Sequence, residues 1–293
     1  MREHIIQKVS EELADEGFAQ VLCAGMHSCF DIAARRDFLL LVKILENIDA
    51  LGRDEARDLR NIAAMLLGSG FLVGERAKTF ALEDGVVYER YAIPAGNLGT
   101  FKMILEADFP EIRKYRKLLV EIDGERMARM RRERGLSLEG LARILGISKE
   151  TLYRYEHGKT SASEEHVKII EGVFHADMRR PITPFARSPG MQERTVLTRL
   201  GFESVRARSA PFDLVAKERE EKVVAGEEAD RRTLTKRAGI YQKIDDVLRS
   251  HSCFILGESK RDELMGVPVI RKDEIAELEK ARELLKLIKE RLA

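Results

Sequence analysis

Tryptophan is absent from this 293-residue chain, aromatic residues make up 6%, and the only cysteines are Cys23, Cys29 and Cys253. Three thiols form no even disulfide framework, which excludes a small, stapled secreted fold and fits reduced cysteines in a cytosol. Three asparagines and four glutamines stand beside abundant Glu, Lys and Arg, a bias also seen in heat-adapted proteins. An excess of either charge is lacking too, since 51 basic residues face 50 acidic ones and leave a net charge of +1. That balance excludes a polybasic coat for nucleic acid, so any such contact must come from a local patch. No run approaches the roughly 20 apolar residues of a membrane span. Met1-Arg2-Glu3-His4 followed by a charged amphipathic stretch does not read as a signal peptide. A soluble cytoplasmic protein without a membrane partner is expected.

What is present is organised by an internal repeat. Gly17-Phe18-Ala19-Gln20-Val21 returns as Gly201-Phe202-Glu203-Ser204-Val205. A Phe-Asp pair then leads an apolar strand pattern, Phe30-Asp31-Ile32-Ala33-Ala34-Arg35 in one copy and Phe212-Asp213-Leu214-Val215-Ala216-Lys217 in the other. Phe71-Leu72-Val73-Gly74-Glu75 matches Phe254-Ile255-Leu256-Gly257-Glu258, and Ala92-Ile93-Pro94 matches Val267-Pro268-Val269. Four matches in one order imply a duplicated domain. Each copy reads as an amphipathic helix (about 5–16 and 191–200), three short strands, a second helix (about 56–67 and 239–250) and further strands. Alternating strands and helices favour a mixed or parallel sheet with helices on its faces. In the later copy the second helix is expected to bury Ile240, Ile244, Val247 and Leu248.

Between the copies, residues 109–178 show helical periodicity and no strand signal. A basic linker, 179–190, follows, where Pro181, Pro184 and Pro189 fall within nine residues. The expected domains are therefore 1–108, 109–178 and 191–293, the last ending in one helix over 273–293. Ile275, Leu278, Ala281, Leu285, Ile288 and Leu292 recur on that helix at spacings of three and four, which suits either packing on its own domain or a two-stranded dimer seam.

In the middle segment, Ser137 can cap a helix over Leu138–Leu145 that Gly146 ends, and Ser148 can cap another through Glu156. With Leu141, Ala142, Leu145, Ile147, Leu152 and Tyr155 facing inward, the two helices and their glycine turn have the requirements of a helix-turn-helix. Flanking helices are expected over Gly124–Arg134 and Glu165–Phe174. The stretch from Arg131 to Thr160, with Leu141-Ala142, Gly146-Ile147-Ser148 and Tyr155-Glu156-His157-Gly158-Lys159, resembles the phage repressor and Cro type of helix-turn-helix without a gap.

That resemblance implies that the helix from Ser148 enters the major groove of double-stranded DNA, with Lys149, Glu150, Tyr153 and Arg154 near base edges. Lysine can donate to guanine and glutamate can accept from cytosine. It places Ser148 and Thr151 near phosphates, Lys159 and Thr160 at the backbone, and Arg131 with Glu156 as an internal salt bridge. Leu138 departs from the pattern, standing where many relatives carry a phosphate-binding glutamine. From Arg113 to Arg134 there are nine basic and four acidic residues, a local patch that can neutralise phosphates. One such domain reads few base pairs, so a homodimer on a palindromic site is expected.

The repeated domain resembles Holliday-junction resolvases and restriction-type nucleases, in which an Asp ends one strand and (Asp/Glu)-x-Lys begins the next. In such enzymes the carboxylates hold Mg²⁺ and the lysine orients or activates water. Here Asp31 and Lys43 match, but the second carboxylate position is Leu41. After Asp213 comes Lys222-Val223-Val224-Ala225-Gly226, which lacks both the carboxylate and the lysine at the motif's positions. The expectation is nuclease-like architecture without catalytic residues, metal or cofactor. An unusual metal site using Glu46 or Asp49 is the alternative. His27-Ser28-Cys29 and His251-Ser252-Cys253 lack the spacing of a zinc knuckle.

The expected fold class is multidomain α/β plus all-α: two restriction-nuclease/resolvase-like domains flanking a Cro-type helix-turn-helix bundle. The arrangement resembles an archaeal family of helix-turn-helix transcriptional regulators. It implies a sequence-specific regulator with room for an effector ligand, the alternative being a structure-specific nuclease or repair factor.

Overall fold

The first helix, α1 (Arg2–Asp15), buries Ile5, Ile6, Val9 and Leu13, one stripe at helical spacing. After Gly17, which takes the left-handed φ of 75° that the turn requires, β1 (Ala19–Leu22), β2 (Ile32–Arg35) and β3 (Leu39–Ile44) form an antiparallel meander. All six residues of β3 are buried, as its unbroken apolar run demands of a central strand. Helix α2 (Arg53–Met65) then returns the chain to β4 (Ser69–Val73), parallel to β3, followed by the short β5 (Arg76–Ala77). The computed structural model describes residues 2–23, 26, 28–110, 112–114, 118–182, 184–185 and 191–292. It divides the chain into one unit of Met1–Lys78 with Phe185–Ala293 and another of Thr79–Pro184.

The unit 79–184 begins with β6 (Phe80–Ala81), β7 (Val86–Arg90) and β8 (Ile93–Gly96). Tyr91 and Ala92, both at positive φ, join β7 and β8 in a two-residue hairpin turn. Helix α3 (Leu98–Leu105) is capped by Asn97, whose Oδ1 accepts from the Thr100 amide at 2.8 Å. Next come β9 (Ile112–Lys114), β10 (Leu118–Val120), α4 (Gly124–Glu133), α5 (Leu138–Leu145), α6 (Lys149–Glu156), β11 (Ala162–Ser163) and α7 (Glu164–Phe174). The sheet runs β8-β7-β9-β10-β11. The segment 109–178 thus contains strands where only helices were expected. They are two or three residues long, too short for a period-2 pattern to register. Of the basic linker, Ile182 donates its amide to the Pro110 carbonyl at 2.7 Å, while residues 183 and 186–190 lie outside the described residues, as does His27.

The second copy contains β12 (Glu203–Arg206), β13 (Leu214–Glu218), β14 (Glu221–Gly226), α8 (Arg231–Leu248), β15 (His251–Leu256), β16 (Glu263–Leu264), β17 (Val267–Arg271), α9 (Lys272–Glu277) and α10 (Ala281–Glu290). Its sheet order is β12-β13-β14-β15-β17-β16, with β14, β15 and β17 parallel. The registers align the copies residue by residue: Ile32 opposes Val42 as Leu214 opposes Ala225, and Arg35 opposes Leu39 as Lys217 opposes Lys222.

Two expectations for this copy are corrected. Residues 191–200 form no α-helix, only a 3-10 turn at Thr198–Leu200. The Thr198 hydroxyl accepts from the Thr195 amide at 2.9 Å and the Thr195 hydroxyl from the Leu197 amide at 3.2 Å, so side chains satisfy groups a helix would have used. The C-terminal stretch is also two helices. Leu278 is extended, and the Glu283 carboxylate accepts from the Glu279 and Lys280 amides, starting a new helix. Ile275, Ala281, Leu284, Leu285 and Ile288 are buried in the core of their own copy with Val223, Ala225 and Cys253, so this stripe offers no free dimer seam. In α8, Tyr241 takes the fully buried position and Ile240 is only half-buried.

Within this unit the copies cover each other. Helix α2 packs on β12 and β13, and α8 packs on β1 and β2, besides their own sheets. Asp58 of α2, 2% exposed, accepts at 2.9 Å from both the Arg208 and Ser209 amides. In the reciprocal position Arg35 of β2 donates to the Val247 and Leu248 carbonyls at the end of α8, where the helix dipole favours a cation.

Glu274 fastens the two C-terminal helices. Its carboxylate accepts from Arg291 at 3.0 and 2.6 Å, from the Arg271 amide at 2.8 Å, and from the Arg271 guanidinium. Arg291 above all pulls this carboxyl down to about 2. A depressed folded value stabilises the protein above the ordinary value of 4.5, and that contribution is lost as pH falls toward 2. The expected outcome for Glu274→Gln is a loss of about 1–2 kcal/mol at pH 7, discounted for partial exposure, and a flatter fall in stability between pH 5 and 2 than the wild type in acid-unfolding curves.

Candidate nucleic-acid interface

The recognition surface is assembled from short-range signals. Ser137 Oγ accepts from the Gly140 amide at 2.9 Å and starts α5; Gly146, at φ 66°, ends it. Two bonds close that turn, Gly146 N–H to the Arg143 carbonyl at 3.2 Å and Ile147 N–H to the Ala142 carbonyl at 3.0 Å. Ser148 Oγ then accepts from the Thr151 amide at 3.1 Å and starts α6. Leu141, Ala142, Leu145, Leu152 and Tyr155 are buried with Met127, Val167, Ile170 and Phe174 in one core, while Ile147 is half-buried against it. At Gly124 a Cβ would overlap the Tyr155 and Glu156 carbonyls, so glycine lets α4 approach the end of α6.

Arg131 and Glu156 lock α4 to α6 in a two-pronged ion pair, Nε to Oε1 at 2.6 Å and Nη2 to Oε2 at 3.0 Å. Arg131 Nη1 also donates to the Leu136 carbonyl at 2.9 Å. Its hydrogen bond to Glu156 raises the Arg131 guanidinium above its ordinary value. This is the pair that the sequence resemblance implied.

With Leu152, Tyr155 and Glu156 turned inward, α6 exposes Lys149, Glu150, Tyr153 and Arg154. These four, with Leu138 and Lys159, line one open cleft of about 310 Å³. The Tyr153 ring stacks on His157 at 3.9 Å, and Lys159 Nζ lies 5.3 Å from its centroid. Ser148 and Thr151 hydroxyls are 3.0 Å apart at the helix start, and Thr160 is exposed beyond its end. Sequence reasoning missed His157, although its spacing of four from Tyr153 is a helical-neighbour signal. Arg129 and Arg132 of the expected basic patch, with Arg180 of the basic linker, line an adjoining cleft of about 760 Å³ with Tyr153 and His157.

The nuclease-like positions are arranged otherwise. In the first copy Asp31, 1% exposed, accepts from the Ile44 amide at 2.7 Å with Oδ2, while its Oδ1 meets Arg2 at 2.5 Å. Lys43 Nζ lies 3.9 Å from Asp31 and 2.7 Å from Glu55, and donates to the Ser28 carbonyl. Leu41 is fully buried. In the second copy Asp213 accepts from the Glu227 amide at 2.7 Å and from both arms of Arg237. Gly226 takes the place of Lys43, and Tyr241 Oη would stand 2.7 Å from a Cβ there. Each remaining carboxylate is thus held by an internal guanidinium, and a leucine or valine fills the second carboxylate position. The residues do not fit a bound divalent cation. Among the described residues no three His, Cys, Asp or Glu side chains group to hold a metal, and Glu46 and Asp49 build no such site with Asp31. Arg2 and Glu55 were not foreseen, because both reach the site from other elements.

Arg131→Ala should destabilise the helix-turn-helix unit by about 2–4 kcal/mol, because Glu156 stays buried without its partner. Chemical denaturation followed by circular dichroism checks this; a loss under 1 kcal/mol would show the pair to be dispensable.

Comparison with known proteins matches residues 2–110 to a PD-(D/E)XK superfamily domain and residues 127–179 to a helix-turn-helix. No solved structure matches. A protein of Methanothermobacter thermautotrophicus named "Putative HTH-type transcriptional regulatory protein" is 37% identical, covering 99% of this chain and 97% of its own. Counterparts of that type in Pyrococcus horikoshii and Natronomonas pharaonis are 35% and 32% identical, each covering 99% of this chain and 98% of its own. With such identity over nearly the full length, the chain belongs to this archaeal family of HTH-type transcriptional regulatory proteins.

Proposed function

We propose that the chain is a sequence-specific regulator of transcription that binds double-stranded DNA in the cytoplasm, as a homodimer on a palindromic site. One observation carries the reading: Lys149, Glu150, Tyr153, Arg154 and Lys159 converge on one open cleft along a capped, outward-facing helix. Lysine and arginine there can donate to guanine, and Glu150 can accept from cytosine, which gives the helix a means of discrimination. Ser148, Thr151, Lys159 and Thr160 flank it where phosphates pass, and the Arg129–Arg132 face of α4 adds positive charge beside them. A single helix reads few base pairs, so two-fold pairing extends the site. The matched spans, 2–110 and 127–179, support a division into domains at 1–108 and 109–178, and the shared strand registers support a repeat over 191–293. No helix among the described residues is long and apolar enough to cross a membrane.

Selection from random duplex DNA should enrich one site with two related half-sites. Lys149→Ala and Arg154→Ala should each relax base preference by about 1–3 kcal/mol, whereas Lys159→Ala should weaken binding to all sequences alike. An unenriched pool would sink sequence-specific regulation.

The second reading, a structure-specific nuclease or repair factor, draws on the superfamily match and on the Asp31–Lys43 pair, 3.9 Å apart. Purified protein with supercoiled or branched DNA and Mg²⁺ or Mn²⁺ is expected to leave the DNA intact. Metal-dependent cutting that Asp31→Ala abolishes would reverse the assignment.

A further inference from the structure

Lys222 has a place that the fold does not explain. It is 7% exposed, in β14, and its side chain has no hydrogen-bond or ion-pair partner among the described residues. In the other copy the equivalent position is Leu39, fully buried, since Lys222 opposes Lys217 as Leu39 opposes Arg35. An apolar side chain therefore satisfies this site in the same architecture. A lysine whose stem is buried at an apolar position, with no counter-ion for its head, is costly unless something else compensates.

The surroundings are cationic. Val223 pairs with His251 across β14 and β15, which puts Lys222 beside the turn Arg249–Ser250. Val223 and Ala225 belong to the core under α9 and α10, so by alternation Lys222 points to the other face of the sheet, toward α8 and the first copy. There Arg35 reaches the Val247 and Leu248 carbonyls, one residue short of Arg249. Burial lowers the Lys222 ammonium below the ordinary lysine value; Arg35 acts in the same sense, as do Arg249 and Lys217, against Glu220 alone. Lys217 already has Glu203, at 3.3 Å. Arg35, Lys222 and Arg249 are left without a carboxylate partner among the described residues.

We propose that Arg35, Lys222 and Arg249 form a binding site, at the seam between the two copies, for the phosphate group of a small phosphorylated ligand. Arg249 offers a forked pair of donors to phosphate oxygens, Arg35 adds the guanidinium hydrogens that the two carbonyls leave over, and the ammonium adds a point charge. The burial of Lys222 favours a small ligand that can enter the seam over a duplex, whose phosphates stay on its surface. The site is independent of the recognition helix, so it stands or falls apart from the DNA-binding reading.

The test is thermal unfolding of the full chain in inorganic phosphate against chloride at equal ionic strength, for wild type, Lys222→Leu and Arg249→Gln. Lys222→Leu copies the residue of the other repeat and should fold. In chloride it should unfold at a higher temperature than the wild type, because it removes an unpaired charge from among like charges. Saturating phosphate should raise the wild-type Tm by about 4 °C or more, Arg249→Gln by less, and Lys222→Leu only by the general effect of the salt. An equal phosphate shift in wild type and Lys222→Leu, or no shift in either, overturns the proposal. So does a result in which phosphate is silent and Lys222→Leu weakens binding to every duplex, which would make the cluster a DNA-backbone contact.

Discussion

A short twisted sheet with helices of its own on one face must cover the other, and in this chain the cover is supplied by the second copy of the same domain. Helix α8 lies on β1 and β2, and α2 lies on β12 and β13. The constraint shows in α2, which buries Ala56, Asp58, Leu59, Asn61, Ile62, Ala63 and Met65, more than the single stripe a surface helix presents. Its two buried polar residues are both spent on the other copy, Asp58 on the Arg208 and Ser209 amides and Asn61 on the Met191 amide. Separating the copies would expose those faces and strand those groups, so the copies are stable together.

The pairing is reciprocal in its packing and unequal in its chemistry. A carboxylate grips backbone amides at one end, and a guanidinium grips the carbonyls ending a helix at the other. The aspartates at the nuclease-like positions have diverged likewise. Asp31 and Asp213 keep the equivalent hydrogen bond to an amide at the end of the central strand, yet one is neutralised by Arg2 of α1 and the other by Arg237 of α8. A guanidinium can replace the charge of a metal ion but cannot polarise and activate water as a Lewis acid does. What both copies share is the carboxylate's hydrogen bond to the backbone.

How much of this was legible in the sequence depends on range. The helix-turn-helix was readable to the residue because its signals are local: Ser137 and Ser148 cap, Gly146 turns, and the apolar positions recur within single helices. The Arg131–Glu156 pair followed from the family pattern. Local chemistry also misled, since the threonines at 195 and 198 compete with the helix that periodicity suggested, and Glu283 restarts the C-terminal helix where the apolar spacing continues. Contacts between distant elements left no trace in spacing. Arg2 on Asp31, Glu55 on Lys43 and Arg237 on Asp213 join helices to strands that only the folded sheet brings together.

The near-zero net charge takes on meaning at the recognition surface. Exposed charges more than about 10 Å apart are screened at ordinary ionic strength, so a chain of +1 has little long-range pull on DNA. Attraction must come from the few cations around α4 and α6, which limits sequence-independent affinity and its dependence on salt. In the proposed reading a larger share of binding then falls to contacts with base edges. A protein built this way gains discrimination by holding little charge in reserve, provided that the recognition helix is rigidly placed, and the buried Arg131–Glu156 lock supplies that placement.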